Sequence, residues 1–172
     1  HVNWFDAQEF CEWRTKVTGL RHRLPTEAEW EFACRASRAG RFCFGDGDET
    51  LAVYANLADG TRKAMFPKGK GIEAKDGHVF AAPVGQFKPN AFGLFDMLGN
   101  VWEWMEDWYA EDYYKRSPRE RPRGPEFGEF GVLRGGSWWF EAGALPAAHR
   151  VAYHPALTDI DIGFRCARDV VE

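Results

Sequence analysis

Thiols, imidazoles and one serine after a pair of glycines are the side chains of this 172-residue sequence best suited to covalent or metal chemistry, and their spacing matches no standard catalytic site. Cys11, Cys34, Cys43 and Cys166 form no CxxC pair, so neither a zinc cluster nor a thioredoxin-like centre is indicated. Cys11 and Cys34 fall among apolar residues in segments expected to be helical, where a thiol acts as a small hydrophobe. Of the five histidines, only His149 and His154 are close in sequence. With Asp159 they would supply the two-histidine, one-carboxylate set that suits non-heme iron, although loop or surface imidazoles are the plainer reading. Ser137 follows Gly135 and Gly136 with no histidine near it in sequence, and reads as a turn residue rather than a nucleophile. There is no GxSxG elbow, no phosphate-cradling glycine loop and no HExxH helix.

The elements that would position these residues begin with two helices. Asn3 caps a helix through Asp6–Trp13, with Ala7, Phe10, Cys11 and Arg14 at helical spacing and Gly19 as its stop. In Leu24–Ala36, Thr26 and Glu29 have capping-box spacing, and Trp30, Ala33 and Cys34 share one face. From Gly40 to about Asn90 no period is sustained, so that stretch is expected to be mostly loop and to need something else, such as a bound metal, to fix it. Ile162–Arg168 is short and apolar enough to be a closing strand. Fourteen Phe, eight Trp and five Tyr, with 18 Gly and nine Pro, indicate a loop-rich fold anchored by large aromatics. No repeat or linker divides the chain, and 1–172 reads as one domain.

Four segments stand in order: Arg23–Glu31 (RLPTEAEWE), Gly93–Trp104 (GLFDMLGNVWEW), Leu133–Trp138 (LRGGSW) and Gly163–Arg165 (GFR). The set resembles the formylglycine-generating-enzyme/sulfatase-modifying-factor family and spans nearly the whole chain. What the resemblance implies is an α+β, C-type-lectin-like fold of low regular secondary structure, with two N-terminal helices, short strands, and the N-terminal strands of a complete family domain missing. It also implies calcium. One ligand set would be the Asp96 and Glu103 carboxylates with the carbonyls of Gly99 and Val101. A second would be the side chains of Asn56 and Asp76 with the carbonyls of Leu57 and His78. Mixed side-chain and backbone oxygens are what calcium takes.

Family members that oxidise a substrate cysteine to formylglycine carry two copper-binding cysteines shortly after Gly-Gly-Ser. Phe140 and Leu145 fall at those places here, and neither offers the soft sulfur that Cu(I) selects, so no copper is expected. The reading that remains is a non-catalytic binding domain. It would present a C-terminal loop surface, about 137–161, to a protein or other ligand through Trp139, Phe140, Ala142, Ala144, Tyr153, His154, Leu157, Asp159 and Asp161. The same stretch resembles the region varied in the ligand-binding proteins of diversity-generating retroelements. Leu133, Trp138 and Phe164 are assigned to packing. The alternative is a metal-dependent oxidoreductase of the wider formylglycine-enzyme and sulfoxide-synthase superfamily.

Charge excludes other partners. Lys plus Arg total 22 against 26 for Asp plus Glu, a formal charge of −4 that provides no field for nucleic acid or an anionic membrane. The basic run Lys115–Arg123 is proline-broken and reads as a solvated loop, and no apolar stretch is long enough to span a membrane. The compartment is left open.

Overall fold

The computed structural model describes residues 1–169. Helix α1 (Trp4–Thr18) starts where expected: the Asn3 side chain accepts from the Asp6 amide and the Asp6 carboxylate accepts from the Asn3 amide. It ends at Gly19, whose left-handed backbone favours glycine. Its buried stripe is Trp4, Ala7 and Cys11, one to two turns apart. Phe10 lies beside that stripe, partly exposed, with its ring against Trp13 and Phe164. Strand β1 (His22–Arg23) follows, then α2 (Glu27–Arg35). Thr26 and Glu29 close the predicted capping box, the Thr26 hydroxyl accepting from the Glu29 amide and the Glu29 carboxylate from the Thr26 amide.

The stretch expected to be loop contains two short helices, α3 (Leu51–Tyr54) and α4 (Gly60–Met65). Neither is long enough to show a period in the sequence, and α4 starts because Asp59 accepts from the Thr61 and Arg62 amides. The rest of the segment is fixed by buried side chains bonded to backbone. Asn90 donates to the carbonyls of Ala33 and Cys34 at the end of α2 and accepts from the Phe92 and Leu94 amides. Asn100 brackets Ala82, accepting from its amide and donating to its carbonyl.

The remaining elements are β2 (Trp102–Trp108), α5 (Tyr113–Arg116), β3 (Gly131–Arg134), β4 (Arg150–Tyr153), β5 (Ile162–Gly163) and β6 (Ala167–Arg168). Four strands form a sheet in the order β4-β3-β2-β5, with β3 antiparallel to both β2 and β4. Trp104 faces Leu133, and Leu133 faces Val151 across the next pair. β1 pairs with β6 in a separate two-stranded ribbon. The closing strand is thus two short strands in different sheets. β4 corrects the expectation of loop throughout the C-terminal stretch: four half-buried residues beside β3 show no alternation to read.

By internal contacts the chain forms two compact units, the first of residues 1–30, 103–134 and 150–172, the second of 31–102 and 135–149. In the first unit, the core holds Trp4, Cys11, Trp30, Trp104, Met105 and Leu133. The Trp4 indole donates to the Met105 carbonyl at 2.8 Å. Cys11 and Cys166, far apart in sequence, bring their sulfurs to 3.5 Å, and burial together with Cys166 pushes the Cys11 thiol up to about 12. In the second unit, Cys34, Phe42, Leu51, Leu57, Leu98, Trp138 and Leu145 are buried.

Candidate functional site

Two of the sequence motifs meet in the second unit. Gly99 donates its amide to the Gly135 carbonyl, Asn100 to Asn56, and Trp138 to Asn100. The approach is so close that a Cβ on Gly99 would lie 2.1 Å from the Asn56 carbonyl oxygen, and Gly99 also has φ +69°. Gly136, at φ +80°, sits directly over Leu145, whose Cδ1 would be 2.9 Å from an added Cβ. Leu145 is completely buried there, and Phe140 is partly exposed with its ring 5.5 Å from that of Trp102. The two places expected to lack thiols therefore hold a core aliphatic and a surface aromatic.

Around Phe140 the surface is aromatic. Trp139 is half-exposed, packed edge-on against Trp138 and over the guanidinium of Arg62 at 4.2 Å. The Ala58 amide donates to the Phe140 carbonyl, tying the α4 start to this loop. Ala144 is half-buried, whereas Ala142 is buried at the head of a 3-10 turn, Ala142–Ala144, which corrects its expected exposure.

The other expected contact residues belong to the first unit. Tyr153 is at the end of β4 with its ring near Trp104, and His154 is exposed beside Phe130. Leu157 and Asp159 are exposed. Burial raises the Tyr153 hydroxyl above its usual range, and Asp159 and Asp161 add to it. Asp161, immediately before β5, is buried, against expectation. The His149 ring lies tilted against Trp102, with centroids 5.8 Å apart. Among the described residues, no three His, Cys, Asp or Glu side chains converge as metal ligands, so the geometry adds nothing for an iron set of His149, His154 and Asp159.

The two calcium sets differ in their readiness. Both oxygens of Glu103 are already held, by two guanidinium nitrogens of Arg165 at 2.6 and 2.7 Å and by the Trp30 indole at 2.7 Å. A cation there would have to displace Arg165. Asp96 accepts from the Gly85 amide. Asn56 and Asp76, twenty residues apart, are brought together: Asp76 accepts from the amides of Leu57 at 3.0 Å and His78 at 2.7 Å. The Asn56 side-chain oxygen is buried and has no hydrogen-bond partner, while its amide donates to Phe80 and Asn100. Burial, with the neighbouring Asp59 carboxylate, pushes Asp76 up to about 6. An orphaned amide oxygen beside a carboxylate held close to a second carboxylate fits a hard cation.

A third cluster, with no role assigned from the sequence, lies at the start of α2. Glu27 is buried and accepts from Arg150 through both oxygens at 2.6 and 2.7 Å and from the Tyr114 hydroxyl, with Arg134 at 3.4 Å. Asp107 accepts from the Glu27 amide at 2.7 Å. Burial, with the charges of Glu27 and Glu106, pushes Asp107 up to about 7. Perturbed acids often mark active sites, but here Glu27 is held by Arg150, Arg134 and Tyr114, and Asp107 accepts from the Glu27 amide, which is the pattern of a framework network. Glu27 and Arg134 stand inside the recognised motifs, and that was the available signal.

The whole described chain fits one family model, a sulfatase-modifying factor enzyme 1-like domain matched over residues 1–170. The chain belongs to the sulfatase-modifying factor enzyme 1-like family. A formylglycine-generating enzyme from Streptomyces coelicolor is 40% identical over 172 residues, covering 98% of this chain and 52% of that protein. The chain thus spans about half the length of that curated relative. PvdO from Pseudomonas aeruginosa has a similar structure, with TM-score 0.83 and 32% identity over 98% of this chain and 60% of PvdO. Treponema denticola variable protein 1 gives TM-score 0.81 and 27% identity over 96% of this chain and 68% of that one. The family member described here has the expected α+β architecture of the formylglycine-generating-enzyme type, with regular elements a minority of the chain.

Proposed function

We propose that this family member is a non-catalytic binding domain that presents its C-terminal surface, about 137–161, to a protein ligand. The observation that carries the reading is the pair Phe140 and Leu145, which stand where the family's oxidative chemistry needs thiols. Leu145 contributes to the core beneath Gly136, and Phe140 with Trp139 turns aromatic surface outward. Exposed aromatics on a loop held by a rigid frame are typical binding anchors. The similarity to Treponema denticola variable protein 1 supports the same reading, and a retroelement-diversified version would be marked by a near-identical template repeat at the nucleotide level.

Calcium would serve the frame. Asn56 and Asp76, with the carbonyls of Leu57 and His78, would hold it, and it would neutralise Asp76 beside Asp59 and satisfy the Asn56 oxygen. The test has two arms. Metal analysis of the purified chain should find calcium and neither copper nor iron in stoichiometric amount. Peptides selected against the immobilised chain should lose affinity by about tenfold or more on Trp139→Ala with the melting temperature unchanged. Stoichiometric redox metal, or selected peptides indifferent to every substitution in 137–161, would overturn the proposal.

A further inference from the structure

Arg62 is a buried charge that the described residues leave unanswered. It is only 8% exposed, yet its guanidinium makes no hydrogen bond or ion pair among the described residues, and its Nε is buried without a partner. What it does have is aromatic: Trp139 at 4.2 Å and Phe66 at 5.4 Å from the guanidinium carbon. Asp59, the carboxylate that starts the same helix, is occupied by backbone amides and the Thr61 hydroxyl. Aromatic faces attract a guanidinium but accept none of its directed N–H bonds, and a buried donor left unmade is costly.

The opening toward this group is also visible. Gly69 lies beside it, and a Cβ there would come within 3.1 Å of Arg62 Nη1, so the absent side chain keeps the guanidinium edge accessible. Lys68 and Lys70 flank Gly69, exposed and without ion pairs among the described residues, in a chain whose net charge is −4. Lys63, by contrast, is paired with Glu73. A local excess of positive charge thus surrounds a planar donor edge with aromatic walls.

We propose that Arg62 is the acid-reading pocket of the binding surface, taking one carboxylate of a peptide ligand on its guanidinium edge. Trp139 and Phe66 cover the apolar neighbours of that residue, and Lys68 and Lys70 draw the acidic segment in. This rests on the peptide-binding reading above and adds the ligand's chemical class. A guanidinium suits a carboxylate because its parallel N–H groups match the two oxygens, and stacking on aromatic rings keeps those edges free.

The test follows the Nε–Hε NMR signal of Arg62, assigned by its loss in Arg62→Lys. The probes are acetyl-Gly-Phe-Glu-Phe-Gly-amide, its Gln counterpart, the Gly-centred peptide with a free C-terminus, and inorganic phosphate alone. The Glu peptide should shift the signal saturably and bind at least about tenfold tighter than the Gln peptide. Its affinity should fall several-fold in Gly69→Ala, which fills the opening and leaves the charge in place. Equal binding by the free-terminus peptide assigns the carboxylate to a chain end, and weaker binding assigns it to a side chain. Equal affinity for the Glu and Gln peptides, or phosphate alone matching the Glu peptide, would overturn the proposal. Selected ligands that depend on Trp139 but not on Arg62 would sink this pocket while leaving the binding-domain reading intact.

Discussion

Arg134 and Arg62 are both buried beneath a tryptophan, Arg134 under Trp30 at 5.2 Å and Arg62 under Trp139 at 4.2 Å, and they differ in what answers their charge. Arg134 shares Glu27 with Arg150 and Tyr114. Arg62 has no carboxylate partner among the described residues. The first arrangement joins the start of α2 to β3 and β4, with its charges matched to one another. The second keeps its directed bonds unspent beside an exposed loop. A matched buried ion holds shape, whereas an unmatched one near a surface carries a cost that the proposed ligand carboxylate would offset.

The largest effect should come from breaking the matched cluster. Glu27→Ala leaves two guanidinium groups uncompensated and should cost about 3–5 kcal/mol in urea denaturation. A loss under about 1 kcal/mol would mean that the network does not hold the frame. Asp107 comes next, through pH. Its carboxyl is raised from 3.8 to about 7 in the folded chain, so the folded state keeps a proton that the unfolded chain releases. Its contribution to stability is complete below about pH 4 and is lost as pH rises through 7. Asp107→Asn keeps an acceptor for the Glu27 amide and removes the titration. The wild type should therefore lose on the order of one to a few kcal/mol more than the variant between pH 5 and pH 8. Identical pH slopes would contradict the assignment.

Thr26→Ala removes the cap of α2 and should cost about 1 kcal/mol, measured by the same denaturation. The smallest effect sharpens the comparison most. Arg62→Met keeps the aliphatic stem under Trp139 and deletes an unanswered charge, so stability should change by less than about 0.5 kcal/mol or rise slightly. A loss as large as that of Glu27→Ala would show that Arg62 belongs to the frame.

How much of this was legible in the sequence follows the range of the interactions. The caps of α1 and α2 were readable because Asn3 with Asp6 and Thr26 with Glu29 are three residues apart and act locally. The ordered motifs gave the fold because Gly99 and the Gly135–Gly136 pair are demanded by close approach and backbone conformation. The short helices α3 and α4 were hidden because neither is long enough to show a period, and strand β4 because it depends on its pairing with β3. The calcium sets were named as residues, but only the structure shows that Glu103 is held by Arg165 while the Asn56 oxygen is left over. Arg62 sits in a basic stretch that offers no periodic signal. Its significance lies in what does not reach it, which no spacing encodes.

The most direct test of the central claim is chemical. The chain, supplied with copper and oxygen, is incubated with a cysteine-containing peptide of the kind the family's enzymes convert, and the peptide is analysed by mass spectrometry for formylglycine. With Phe140 and Leu145 in place of the thiols, the peptide should be recovered without conversion, while the chain still binds selected peptides through Trp139. Catalytic accumulation of the aldehyde product, in excess over the chain, would contradict the account.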